Sequence, residues 1–206
     1  MLKRTTLNSI NNILSKNSNW KILDVGCGYR ANKFATVISD VQDLSGYYNN
    51  RNFIRVSSKE LPFKNKEFDF VIASHVIEHV EDFEFFIKEL ERVSNKGYIE
   101  LPTRLGDNIV FENKSDHIWW FKFNDHEDKI IASKKKQFID PFITVSMAKL
   151  LEKMFRESLV MELYWENTIN YEFDIKLEKE NFEKISFFKI IRKFFSKKIR
   201  TFLRKK

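Results

Sequence analysis

The stretch Ile22-Leu23-Asp24-Val25-Gly26-Cys27-Gly28 joins a short apolar run to an acid and two glycines. An apolar run of this length, bounded by turn residues, predicts a buried strand, here over residues 20–25. Glycine lets the backbone turn and approach a ligand closely, and α/β folds bind ligands at the carboxyl ends of their strands. The stretch therefore predicts a strand and a ligand-binding turn, although a lone Gly-x-Gly also occurs in ordinary strand-to-helix turns.

The segments that follow this turn predict strands alternating with helices or crossing segments. Helical spacing of apolar residues predicts helices at 7–14 and 83–93. Further strands are expected at 36–39, 52–56, 68–73 and 98–101. The first of these leads to Asp40, whose carboxylate is placed to accept hydrogen bonds from ribose hydroxyls. This alternation favours an α/β fold with a mainly parallel sheet covered on both faces.

The pattern changes after Pro102. Residues 118–123 and 129–133 flank a polar turn and predict a β-hairpin. A helix is expected at 144–157 and two strands at 159–165 and 171–175. No internal repeat is visible, so we expect one domain over residues 1–182 and a tail over residues 183–206.

Further motifs follow the glycine turn in a fixed order. They are Leu61-Pro62-Phe63, Phe68-Asp69-Phe70-Val71, Ser74-His75-Val76-Ile77-Glu78-His79-Val80, and the run 88–93 continued by Lys96-Gly97-Tyr98. With the turn, this series resembles class I S-adenosylmethionine-dependent methyltransferases, in particular the small-molecule, methyltransferase type 11-like group, over roughly residues 20–102. The resemblance implies a single Rossmann-like seven-stranded sheet, with the hairpin inserted after the fifth strand, S-adenosylmethionine as cofactor, and enzymatic methyl transfer.

The resemblance also implies a set of cofactor-binding residues at the strand ends. They are Asp24, Gly26, Cys27, Gly28, Asp40, Ser57, Ser74 and His75. Two features depart from the family: Tyr29-Arg30 replaces the usual third glycine, and only sixteen positions separate Asp24 from Asp40. A short turn or loop is therefore expected instead of the first crossover helix. Ser57 stands where the family commonly has Asp, which implies a weaker hydrogen bond to the adenine amine.

Two histidines are the candidate catalytic residues. A base is needed only when the methyl acceptor is a hydroxyl or a protonated amine. His79 is either that base or a structural histidine capping the next helix, and Glu78 could orient it. His117 with Trp119-Trp120 either lines the acceptor pocket, with a ring to stack on a sugar or flat ligand, or belongs to a core closed by the two indoles. No metal is expected, because the His-x-x-Glu-His motif lies at a strand-to-helix corner and lacks an obvious third ligand.

Positive charge is concentrated at the C-terminus. Residues 183–206 hold ten Lys or Arg against one acid, +9, so the whole-chain charge of +7 leaves −2 for residues 1–182. Apolar residues recur there at steps of 3, 4, 4 and 3: Phe188, Ile191, Phe195, Ile199 and Phe202. This spacing predicts a basic amphipathic helix that contacts an anionic membrane, docks to an acidic partner or packs on its own domain. Nucleic acid is not an expected partner, because the body is slightly acidic and lacks a base-reading motif.

The single Cys and the absence of a long apolar run or a signal-peptide core favour a cytoplasmic protein, peripheral at the inner membrane face if the tail binds lipid. The expected function is methyl transfer to a small-molecule acceptor, with a sugar or lipid-linked glycan intermediate preferred if the tail contacts membrane. Two alternatives stay open. One is a catalytically weak S-adenosylmethionine-binding or regulatory protein, and the other is a methyltransferase acting on RNA or protein.

Overall fold

The computed structural model describes residues 1–176 and 183–203. Its strands are β1 (Leu2–Arg4), β2 (Ile22–Val25), β3 (Val37–Asp40), β4 (Phe53–Arg55), β5 (Phe70–Ser74), β6 (Lys96–Pro102), β7 (Trp119–Asn124), β8 (Lys129–Lys134), β9 (Val160–Glu166) and β10 (Tyr171–Phe173). Its helices are α1 (Leu7–Lys16), α2 (Phe83–Val93), α3 (Arg104–Ile109), α4 (Asn113–Asp116), α5 (Val145–Leu159) and α6 (Phe187–Leu203), with a 3₁₀ turn at Ile77–His79.

Seven strands form one sheet in the order β4-β3-β2-β5-β6-β9-β1. The strands from β2 to β6 run parallel, whereas β9 is antiparallel to β6 and β1 is antiparallel to β9. The mainly parallel seven-stranded sheet is therefore confirmed. Parallel strands end at the same edge of a sheet, so the segments that follow β2, β3, β4 and β5 meet there.

Alternation along the strands places apolar side chains on both faces of the sheet. In β2, Leu23 and Val25 join one buried cluster, and Ile22 joins the other. Helix α1 covers the Ile22 side with Ile10 and Leu14, while α2 packs on the opposite side. Because both faces of the sheet are buried, the strands are apolar at nearly every position instead of at every second one.

The structure corrects several sequence-based bounds. Strand β1 was not predicted, yet Leu2 is completely buried because β1 pairs with β9. Three residues are too few to show a periodicity, so only this long-range pairing reveals the strand. Helices α3 and α4 were also missed. The strand predicted at 171–175 ends at Phe173 and pairs with β8 in a separate three-stranded sheet with the confirmed hairpin.

The predicted C-terminal helix is present as α6. Its segment is held to the domain by the Phe187 N–H, which donates to Asp140 Oδ2 over 3.3 Å. Phe188 is 82% exposed and Phe195 is 58% exposed, so the apolar stripe is open to solvent. The Phe202 side chain lies outside the described residues, as do residues 177–182 at the predicted domain boundary. Within the described ranges, no helix is long and apolar enough to cross a membrane.

Candidate functional site

The glycine turn after β2 has a backbone that side chains rarely adopt. Gly26 and Gly28 have φ angles of +64° and +49°. A Cβ atom on Gly26 would lie 2.4 Å from Cγ2 of Val76, so glycine is required for the segment after β5 to pack against the turn. A Cβ atom on Gly28 would meet no atom within 4 Å. The outer side of the turn is therefore open to a ligand.

Asp40 fixes the turn to the end of β3. Its Oδ2 accepts a hydrogen bond from the Gly28 N–H over 2.8 Å, and its Oδ1 accepts one from the Gln42 N–H over 2.9 Å. The next side chain, Val41, is 69% exposed and offers an apolar surface beside the carboxylate. Sequence reasoning did not identify Val41, for which the only signal was its position directly after Asp40.

Two other predicted residues of the turn are buried. Burial raises the pKa of Asp24 to about 7, although the Asn32 N–H donates to its Oδ2 over 2.6 Å and opposes that shift. Burial likewise raises the pKa of the Cys27 thiol to about 12. Cys27 is therefore an unreactive thiol that fills the turn, whereas Asp24 can change its charge near neutral pH.

The loop that replaces the first crossover helix is tied down by side chains from beyond β3. Tyr48 Oη donates to the Gly28 carbonyl over 2.8 Å and accepts from the Ala31 N–H over 3.0 Å. The Arg51 guanidinium donates to the carbonyls of residues 32 and 35 over 2.9 and 2.7 Å. The predicted short loop is confirmed, and these contacts order it without a helix.

His75 lies one residue beyond β5 and has a positive φ of 55°. Its Nδ1 is 3.1 Å from Glu78 Oε1, and its Nε2 is 3.1 Å from Glu100 Oε1. Burial lowers the pKa of His75, but hydrogen bonds to the Glu100 and Glu78 carboxylates outweigh it and raise the pKa to about 10. The ring is therefore an imidazolium at neutral pH and does not serve as a base.

Glu100 belongs to a buried polar group formed by β6 and α5. Tyr98 Oη lies 2.5 Å from its Oε2, and Arg156 donates to the same oxygen over 2.6 Å. Burial would raise the pKa of Glu100, yet hydrogen bonds from His75 and Tyr98 and the charge of Arg156 lower it to about 2. The carboxylate thus stays ionised and holds His75 in place.

A cavity of about 320 Å³ opens beside the ends of β5 and β6. Its volume is at the lower end of the range of small-molecule sites. Residues of α3, α4 and α5 and the segment after β5 supply the walls. The lining residues include His75, His79, Pro102, Val110, Glu112, Asp116, His117, Val145, Glu152 and Leu159. The structure therefore brings both predicted catalytic histidines to one cavity.

His117 is oriented by a carboxylate that sequence reasoning missed. Its Nδ1 is hydrogen-bonded to Oδ1 of Asp107, which is fully buried. Asp107 Oδ2 also accepts from Trp120 Nε1 over 2.5 Å and pairs with Lys135 Nζ at 2.9 Å. Burial would raise the pKa of Asp107, but its contacts to His117 and Lys135 lower it. An ionised carboxylate only accepts, so Nδ1 of His117 carries a proton, and in the neutral ring Nε2 has the lone pair.

His79 also has one ring nitrogen fixed. Its Nδ1 is 2.9 Å from the Asp116 carbonyl, which can only accept, so Nδ1 donates and, in the neutral ring, Nε2 is the acceptor. The rings of His79 and His117 meet edge to face with centroids 4.5 Å apart. Helix α2 is instead capped by Asp82, whose side chain accepts from the Phe85 N–H over 3.1 Å. The structure therefore does not support the helix-capping alternative for His79.

The remaining predicted residues divide between surface and core. Ser57 is exposed just beyond β4, and Ser74 is the last residue of β5. Trp119 and Trp120 are 7% and 1% exposed, so both indoles belong to the core and neither ring stacks on a ligand in the cavity. His126 is exposed in the hairpin turn.

Comparison with known proteins identifies the part of the chain that contains the glycine turn. Residues 23–99 match a family model described as a methyltransferase domain, and all eight predicted cofactor residues fall inside this range. The YcgJ protein from Bacillus subtilis is 15% identical, with 48% of this chain covered and a TM-score of 0.38. The alignment spans about half of that relative, 52% of its length.

Two further solved structures are similar over more of the chain. A protein from Pyrococcus horikoshii OT3 is 19% identical, with 78% of this chain and 89% of that one covered and a TM-score of 0.43. An S-adenosylmethionine dependent methyltransferase from Mesorhizobium loti is 11% identical, with 76% and 96% covered and a TM-score of 0.43.

Proposed function

We propose that this chain carries a class I S-adenosylmethionine-dependent methyltransferase domain, with its family match at residues 23–99. We propose further that it methylates a small molecule bound beside His79 and His117. One observation carries the proposal: the segment after β5 joins the two sites. Val76 packs against Gly26 of the cofactor turn, while His75 and His79 line the cavity. A methyl donor at the turn and an acceptor in the cavity would therefore be neighbours.

The residues at the turn fit S-adenosylmethionine. The open side of Gly28 leaves room for a ligand, Asp40 offers carboxylate oxygens, and the exposed Val41 offers an apolar surface. A ligand with positive charge beside the turn would favour the ionised form of the buried Asp24 carboxyl, whose pKa burial raises to about 7. When bound, S-adenosylmethionine supplies a methyl group already activated by its sulfonium. The protein then has to orient the acceptor and exclude water.

His117 is the base that the geometry favours. Asp107 holds its ring in one tautomer, which leaves Nε2 to take a proton from a hydroxyl or a protonated amine in the cavity. His79 offers a second Nε2 atom beside it. The two buried indoles supply no stacking surface, so a preference for a sugar or a lipid-linked glycan rests on the tail alone.

The tail supports a second part of the proposal, namely that residues 183–206 hold the domain of residues 1–182 at the cytoplasmic face of an anionic membrane. Exposed apolar side chains of α6 alternate with six basic residues: Lys189, Arg192, Lys193, Lys197, Lys198 and Arg200. Each basic residue near anionic lipid contributes about 1 kcal/mol. Such a position would suit a lipid-linked acceptor.

Transfer of labelled methyl from S-adenosylmethionine tests the function. The full chain is incubated separately with pools of small hydroxy and amino compounds, with a lipid extract, with RNA and with protein. We expect label in the small-molecule or lipid fraction, and less of it with the Asp40→Asn variant when S-adenosylmethionine is below saturation. Label in RNA or protein alone would contradict the proposal and support the macromolecular alternative. Binding of S-adenosylmethionine without transfer to any pool would support a regulatory protein.

Vesicle flotation tests the membrane contact. Phe188→Ser in the full chain is compared with Met154→Ser, because both side chains are 82% exposed and only Phe188 lies on α6. We expect Phe188→Ser alone to reduce binding to phosphatidylserine vesicles, and neutral vesicles to bind weakly. Equal binding of both variants and the unmodified chain would contradict the proposed membrane contact.

A further inference from the structure

Three side chains with metal-binding atoms converge at the wall of the cavity. Glu78, His79 and His117 each offer one ligand atom, and these atoms lie within 4.8 Å of one another. The first two belong to the His-x-x-Glu-His motif, and the third arrives from the residue after α4. The third ligand that the motif lacked in the sequence is therefore supplied by the fold.

A buried carboxylate oxygen in this cluster has no partner. Glu78 is completely buried, and its Oε1 is engaged by His75 at 3.1 Å. Its Oε2 makes no hydrogen bond among the described residues. Leaving such an atom unsatisfied in the interior is costly, and native structures pair nearly all of them. A cation in the cluster would satisfy this oxygen.

Hydrogen bonds at Nδ1 hold the two histidines so that Nε2 is the ring nitrogen available to a metal. The Asp116 carbonyl accepts from Nδ1 of His79, and the Asp107 carboxylate accepts from Nδ1 of His117. In its neutral form each ring has an unprotonated Nε2 that can bind a metal. Histidines that bind metals almost always donate their other nitrogen to a carbonyl or a carboxylate in this way, which fixes the ring and strengthens the ligand.

We propose that Glu78, His79 and His117 bind one divalent transition-metal ion of the zinc class. Two imidazoles favour such an ion over Mg²⁺ or Ca²⁺, which prefer oxygen ligands alone. Three protein ligands leave a coordination position for another molecule, as in catalytic zinc sites. If the proposed function holds, the ion takes over the part that the free Nε2 of His117 would play without metal. Its open position would then take an acceptor oxygen, because a metal lowers the pKa of a bound hydroxyl. The expectation from the sequence that no metal binds would then be wrong.

Calorimetric titration of Zn²⁺ into the chelator-treated full chain, without S-adenosylmethionine, tests the site. We expect one ion per chain, and a loss of affinity of about tenfold or more for His79→Gln and for Glu78→Gln. The His79 side chain is exposed, so its variant should fold even if a change at the buried Glu78 does not. His126→Gln, in the exposed hairpin turn, should bind as the unmodified chain does.

Absorption of Co²⁺ in place of Zn²⁺ gives a second readout, because visible bands report histidine and carboxylate ligation directly. Absence of Zn²⁺ binding by the unmodified chain would overturn the inference. Binding unchanged in both His79→Gln and a folded Glu78→Gln would overturn it too. If the unmodified chain binds the metal and the variants do not, the site is upheld. If the unmodified chain then transfers methyl to no acceptor, that result counts against the proposed function. Methyl transfer by a chain that binds no Zn²⁺ would do the reverse.

Discussion

The glycine turn and the cavity lie at the same edge of the sheet but are built from different parts of the chain. The turn depends on its backbone conformation, because this places the Gly28 N–H to donate a hydrogen bond to the nearby Asp40 carboxylate. The cavity depends on side chains that meet from separate elements, as His117 meets Asp107. Cofactor binding should therefore be sensitive to local backbone changes, and acceptor chemistry to the orientation of a few rings. The two should be separable by mutation.

Replacement of His117 should give the largest effect. His117→Asn removes the ring that Asp107 orients, so we expect the methyl-transfer rate to fall about 10²- to 10⁴-fold. The affinity for S-adenosylmethionine should change by less than about twofold, because the turn is untouched. Transfer assays and calorimetry on the same samples check both values, with His126→Asn as control. A parallel loss of cofactor affinity would show that the two regions are not separable.

The two glycines of the turn should differ sharply when each is changed to alanine. Gly26→Ala combines a positive φ with a contact of 2.4 Å to Val76, and we expect it to lower the free energy of unfolding by about 3 kcal/mol. Gly28→Ala carries only the φ penalty, about 1 kcal/mol, because its surroundings are open. Urea unfolding measures both, and equal losses would refute the packing argument.

Asp40→Asn should weaken the binding of S-adenosylmethionine at the glycine turn and leave the cavity unchanged. The amide can keep one hydrogen bond to the turn but loses the charge, so we expect S-adenosylmethionine to bind about 10- to 100-fold more weakly. Zn²⁺ affinity should stay unchanged. Calorimetry measures both ligands, with His126→Asn again as control. A comparable loss of Zn²⁺ affinity would mean that the variant disturbs the whole edge of the sheet.

Asp24 should make stability depend on pH. Its pKa in the folded protein is about 7, above the ordinary value of 3.8, so the folded state favours the protonated form. This contribution to stability is complete below pH 3.8 and is lost as pH rises through about 7. Between these two values, each pH unit lowers the free energy of unfolding by at most about 1.4 kcal/mol. Urea unfolding at several pH values should show a free energy of unfolding that falls as pH rises, and Asp24→Asn should remove this fall. The same fall in the variant would show that other groups cause it.

The difference between the two regions also explains what the sequence could reveal. The turn was predictable because its strand, its glycines and Asp40 follow one another within a short stretch, and α2 was predicted from Phe83 to Val93 because its apolar spacing is local. Asp107 gave no comparable signal, since only the fold brings it to His117. The strand at Leu2 likewise depends on its pairing with β9, more than 150 residues later.

The cofactor site is tested by a calorimetric titration of the full chain with S-adenosylmethionine, accompanied by circular dichroism to show that the protein is folded. We expect one ligand to bind per chain, with an affinity weakened by Asp40→Asn and unaffected by His126→Asn. A folded chain that shows no binding at millimolar ligand would contradict the cofactor site and, with it, the proposed methyl transfer.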